Sequence, residues 1–190
     1  MKRKYILIGF FVLVALFQIG IPANQIYKRE QVLKHGQVYL FRTAPIDPTD
    51  PFRGKYVVLH FSDNDFIMNR IESWDVGETV FVELKTDSTG FAIINGLSKT
   101  EPIRGVDYIK AKIAYTRFNG EYGRKKVTVD FPFDRFYMEE SKAYNAERAY
   151  WSSRGDNTGT YAMVSVKDGI AVLSDVIIKG VLAKNLDVTN

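Results

Sequence analysis

The sequence contains no cysteine. Disulfides, thiolate nucleophiles and Cys-ligated zinc or iron–sulfur sites are therefore excluded, and the fold must stand on packing alone. A cysteine-free chain is compatible with an oxidising exterior, where unpaired thiols are a liability, but the absence does not by itself fix the compartment. Histidine is nearly as scarce. His35 and His60 stand alone without the spacing of a metal pair, so no zinc site is expected, and His60 beside Phe61 reads as a strand residue rather than a general base. There is no glycine-rich phosphate loop, no internal repeat and no low-complexity tract.

An excess of one charge is also lacking once position is considered. The formal net charge is +4, but Lys2, Arg3 and Lys4 precede an apolar run, and without them 23 basic side chains face 22 acidic ones. Phosphate binding requires clustered positive charge. Only Arg124, Lys125 and Lys126 cluster, a run that reads as a solvated strand or turn, so no nucleic-acid partner is expected, nor is any cofactor.

What the chain does have is a stretch without charge, residues 5–21, YILIGFFVLVALFQIGI. As a helix it is about 25 Å long and nearly spans a hydrocarbon core, with flanking Lys and Arg reaching the headgroups. The basic triplet ahead of it predicts a cytoplasmic N-terminus and a translocated remainder, a contrast that Lys28 and Arg29 reduce. Residues 1–23 are read as a transmembrane anchor whose partner is the lipid bilayer, through residues 5–21. The competing reading is a signal peptide cut after Ala23; against it, no Ala-x-Ala occurs and Ile19 and Ile21 continue the run past Gln18. Residues 24–36 carry Ile26, Val32 and Leu33 at near-helical spacing and are expected to form a stalk or short helix ended by Gly36. Residues 37–190 are read as a β-rich domain outside the cytoplasm.

The hydrophobic fraction of 46% and aromatic fraction of 14% suit one packed domain. Alternation predicts strands at 37–43 and 55–61, the second covered on both faces. Between them Pro45, Pro48 and Pro51 rule out helix, and Asp47-Pro48 and Asp50-Pro51 suit the opening of type I turns. Residues 79–84 and 91–94 read as a hairpin. Two further strands between 106 and 131 are joined around Asn119-Gly120, with Ile109, Ala111, Ile113 and Tyr115 on one face and Lys110 and Lys112 on the other. Residues 138–152 form the one expected outer helix. Residues 161–167 and 170–182 form a hairpin across Asp168-Gly169, the dipeptide of a type I′ turn. The expected fold class is mainly β: antiparallel sheets or a barrel-like domain with one packed helix, plus one N-terminal transmembrane helix.

The run Asp47-Pro48, Asp50-Pro51, Phe52, Arg53, Gly54, followed by Tyr56 and Leu59, resembles the GDYXXLXY family, whose motif is Gly-Asp-Tyr-x-x-Leu-x-Tyr after a proline- and aspartate-rich stretch ending Arg-Gly. Lys55 replaces the motif aspartate and Phe61 its final tyrosine. The likeness continues at 77–82 and at 136–141, which includes Glu140, with Glu147, Arg148 and Ala149 fitting a following helix. It covers roughly residues 38–183. The resemblance implies a membrane-anchored protein of the bacterial cell envelope, encoded beside a multispanning membrane protein that would be its partner, and it implies no established activity.

Chemically, Asp47, Asp50 and Arg53 suit either a carboxylate–guanidinium cluster that binds a ligand or a rigid turn ahead of a buried strand; the turn is the favoured reading. Ser62, Asp63, Asn64 and Asp65 offer oxygen ligands for calcium but lack the glycine and distal glutamate of an EF-hand loop. Glu140 and Glu147, two helical turns apart, suit solvated helix positions or one cleft. Ser98-Lys99 and Ser141-Lys142 are not diagnostic of a Ser/Lys hydrolase, and Arg154-Gly155-Asp156 suits a helix exit. The expected function is a non-catalytic structural or interaction module of the envelope. The alternative is an envelope hydrolase or ligand-binding domain using Asp47, Asp50, Arg53 or Glu140.

Overall fold

The computed structural model describes residues 2–44, 56–68, 73–103, 105–118, 124–137, 159–178 and 180–185. It begins with one unbroken helix, α1 (Lys2–His35). Apolar side chains cover it all round up to residue 21, and none of its most apolar stretch is buried in the protein. That is the pattern of a helix whose solvent is lipid. The segment expected to be a stalk or short helix is the upper part of this same helix. Gly36 then turns the chain, donating its N–H to the Val32 carbonyl at 2.8 Å, and the first strand starts one residue later.

Among the described residues twelve strands follow: β1 (Gln37–Ala44), β2 (Tyr56–Val58), β3 (His60–Phe61), β4 (Asp65–Met68), β5 (Thr79–Thr86), β6 (Ala92–Ser98), β7 (Tyr108–Phe118), β8 (Lys125–Asp130), β9 (Arg135–Tyr137), β10 (Thr160–Lys167), β11 (Ile170–Ile178) and β12 (Val181–Leu182), with a short 3₁₀ turn at Ala183–Asn185. They form a five-stranded sheet in the order β12-β11-β10-β1-β3, a second in the order β4-β8-β7-β5-β6, and the pair β2-β9. Every named pairing is antiparallel. In the second sheet β4 approaches β6, so the sheet curls almost into a barrel. Its interior is filled by Val80, Val82 and Leu84 of β5, Ile109, Ala111 and Ile113 of β7, and Val127 and Val129 of β8, all buried. β-branched residues at every second position place methyl groups on one side of the pleat, and each contributes about 1.5–3 kcal/mol when fully buried. Phe41, Ala162, Val164, Val166, Val176 and Ile178 form the matching face of the first sheet.

Three expectations are corrected by pairing that local alternation does not reveal. The strand expected at 55–61 is two strands in different sheets: β2 pairs with β9 and β3 with β1, while Leu59 between them donates its N–H to the Asp134 carbonyl at 2.7 Å. In β7 the register shifts between Ile113 and Tyr115. One extra residue reverses the alternation, so Tyr115 leaves the buried row and is 51% exposed. The strand expected at 170–182 stops at Ile178, turns at Gly180 with φ of 81°, and folds back as β12. The Asp168-Gly169 turn has the expected geometry, with φ of 49° and 77° and Lys167 opposite Ile170. The expected helix at 138–152 and the turn at Asn119-Gly120 lie outside the described residues.

Candidate functional site

Where the two large sheets meet, the described polar contacts converge on Arg42. It lies on β1 opposite Tyr161 of β10, one residue beyond the buried Phe41, so the pleat puts its side chain on the face away from that core row, where it meets the β5–β6 turn. Nη1 donates to Asp63 Oδ2 at 2.9 Å, and Nη2 donates to Asp87 Oδ2 and Thr89 Oγ1, each at 2.6 Å. The guanidinium lies 4.2 Å above the Phe91 ring, and that ring meets Tyr161 edge-on at 5.4 Å. Asp87 is placed by the β5–β6 turn: its Oδ1 accepts from the Thr89 N–H and hydroxyl and from the Phe91 N–H at 2.8, 2.7 and 3.0 Å. The Arg42 guanidinium, helped by the Thr89 hydroxyl and the Phe91 amide, holds this carboxyl well below the usual carboxylate range. The Asp87 and Asp63 hydrogen bonds in turn raise the pKa of Arg42.

One cation thus links three segments: β1, the turn after β3, and the β5–β6 turn. The seam is reinforced by Tyr39, whose hydroxyl donates to Asp107 at 2.7 Å, and by the Lys110 N–H on the Gly169 carbonyl at 3.0 Å. Burial and the Asp107 carboxylate push the Tyr39 hydroxyl above its ordinary pKa. Such a cluster clamps sheets together; an incoming carboxylate or phosphate would have to displace two carboxylates already well seated. Sequence reasoning passed over Arg42. The available signal was a charge inside an otherwise apolar strand, followed shortly by the proline-rich run, and an Asp-x-Thr-Gly turn at 87–90.

Of the expected site residues, Leu59 is placed in the core and Phe61, partly buried, packs against it. Leu59 is 2% exposed. Phe61 packs with Phe41, Phe131 and Phe133 in a four-ring cluster with centroids 5.2–5.8 Å apart. A phenyl ring in that position has no hydroxyl to satisfy, which accounts for phenylalanine at this motif position. Tyr56 opens β2 opposite Tyr137. Asp47, Asp50, Arg53, Gly54 and Glu140 lie outside the described residues, as do Glu147, Ser141 and the Arg154-Gly155-Asp156 tripeptide.

The candidate calcium residues diverge. Asp63 binds Arg42, the Asn64 amide donates to the Val129 carbonyl at 3.4 Å, and Asp65 pairs with Lys126 at 2.6 Å. Among the described residues no three acidic or histidine side chains form a metal-sized group. Lys99 is occupied by Glu78 at 2.8 Å and by the Trp74 ring, and the Ser98 hydroxyl donates to the Thr100 carbonyl at 2.8 Å.

The joint between helix and domain is built as tightly as the seam. Val32, 2% exposed, packs from α1 against β10 and β11, whereas Ile26 and Tyr27 on the same helix are more than 60% exposed. A Cβ on Gly36 would stand 2.5 Å from the Val32 carbonyl and 3.0 Å from that of Val166. Only glycine lets the helix end this close to the sheet.

A family model described as "GDYXXLXY protein" matches residues 18–176. No match was found among curated proteins or among solved structures.

Proposed function

This chain belongs to the GDYXXLXY family, and from that premise we propose that it is a non-catalytic module of the bacterial cell envelope. It holds its β domain at a fixed height outside the cytoplasm, for association with another membrane protein, multispanning in type. The observation that supports this reading is the joint: an apolar helix of lipid-crossing length continues without a break to His35 and enters the sheet one residue later. The upper part of the helix, residues 22–35, raises the domain about 21 Å. A loose linker would serve an enzyme acting on diffusing substrates, whereas a stiff support presents a surface at a set distance and angle.

The test is chemical crosslinking in native membranes followed by purification of the full chain. A membrane protein recovered in fixed ratio is the expected result; a chain that purifies alone from every crosslinked sample would overturn the proposal. Arg53→Ala divides the two uses of the family motif. Loss of association with an unchanged melting temperature assigns the guanidinium to the partner, and a lowered melting temperature assigns it to the fold.

A further inference from the structure

The far end of the β7–β8 hairpin has no place in the reading above. We propose that it is a second membrane contact, docking on anionic headgroups of the bilayer that holds α1.

β5 covers β7 only as far as Lys112, opposite Thr79, but β7 continues to Phe118, paired with β8 out to Lys125. Beyond Ile113, whose backbone still bonds Gly77 and Glu78, short β4 is the one described strand beside the hairpin, and large side chains there are exposed. Phe118 is 74% exposed, and Tyr115 and Ile67 are 51% exposed. The register shift before Tyr115 sets the pattern: it places Tyr115 and Arg117 on the outer face in line with Thr128 and Lys126, and Ile67 of β4 lies beside Lys126 in the same row.

The charge is predominantly of one sign, with four cations in residues 117–126 against Glu121 in the same stretch and Asp65 on β4. Arg117, Arg124, Lys125 and Lys126 crowd this end, and among the described residues the one carboxylate paired with any of them is Asp65, on Lys126. Cations and rings are interleaved: Arg117 lies 5.9 Å from the Tyr115 ring centroid and Lys125 5.1 Å from that of Phe118. Exposed aromatic rings among Arg and Lys suit the headgroup layer, where the ring sits at the acyl boundary and the cation meets phosphate. An acidic protein would satisfy the cations but leave Phe118 and Ile67 without a use.

Reach and tethering favour the chain's own bilayer. β7 starts beside the stalk, where Lys110 bonds Gly169 three residues from the Gly36 contact at Val166. From Lys110 to Phe118 the strand extends about 26 Å, a length comparable with the roughly 21 Å of the stalk. With α1 in the same bilayer the contact is intramolecular, so a weak attraction suffices.

Because the chain is free of cysteine, one introduced thiol reports one place. The full chain carrying Phe118→Cys with the fluorophore NBD, and separately Ser88→Cys on the opposite turn, is reconstituted into vesicles of phosphatidylcholine with or without phosphatidylglycerol. Flotation at alkaline pH reads insertion of α1 independently of the tip. The expected result is blue-shifted emission at 118, quenched by brominated lipid, in phosphatidylglycerol vesicles only. It disappears at about 1 M salt and in the Arg117→Gln, Lys125→Gln double variant, and position 88 stays water-exposed throughout. Emission at 118 that remains water-like in anionic vesicles, that shifts equally in pure phosphatidylcholine, or that shifts only when a soluble acidic protein is added would overturn the proposal.

Discussion

A side chain at position 169 would meet two obstacles at once. The backbone there has φ of 77°, and an added Cβ would lie 2.5 Å from the Tyr108 ring. Gly169→Val should therefore cost about 2–4 kcal/mol in denaturant titrations, more than the backbone conformation alone exacts, whereas Asp168→Gly should stay close to wild type. Leu59→Ala, at a site 2% exposed, should cost about 2–4 kcal/mol by leaving a cavity. Asp87 gives a pH signature. Its folded-state pKa is depressed below the ordinary 3.8, so its contact with Arg42 contributes fully above about pH 4 and is lost as pH falls through the folded value. Melting temperatures followed from pH 6 to pH 2 should fall in the wild type, and Asp87→Asn should start lower and flatten part of that fall.

Elements whose cause is local were legible in the sequence. The Asp168-Gly169 hairpin follows from two residues that tolerate positive φ, and α1 from an uninterrupted apolar run. Elements whose cause is a partner strand were not. Nothing in 55–61 says that its first half joins β9 and its second half β1, since those partners lie far away in sequence. The reversal at Tyr115 is set by β8 across the ladder, and alternation read along β7 alone puts the ring on the wrong face. The joint at Gly36 lies between these cases: its glycine was legible as a stop, but not as the one residue small enough to sit against Val166. Gly36→Val should lower the melting temperature and open a protease-sensitive site between α1 and β1 in limited digestion, while the protein still sediments with membranes after alkaline washing.

At the scale of the molecule, the sequence was sufficient for the class of architecture and insufficient for the site. The proline- and aspartate-rich run is conspicuous in one dimension, whereas the Arg42 cluster becomes visible only when residues 42, 63, 87 and 89 meet in space. Orientation across the bilayer should follow charge. Replacing Lys2, Arg3 and Lys4 together by Gln leaves Lys28 and Arg29 as the flanking cations, and a C-terminal reporter active only in the cytoplasm, silent in the wild type, should gain activity.

The glycine joint also makes the protein a lever. α1 has 34 residues, with Pro22 inside it, and is about 51 Å long as a rod at 1.5 Å per residue. A change in bilayer thickness that tilts the rod by about 10° sweeps its upper end sideways by roughly 9 Å. With no slack at residue 36, the β domain must travel and lean with it, so lipid composition alone would shift the position and tilt of the domain's surface.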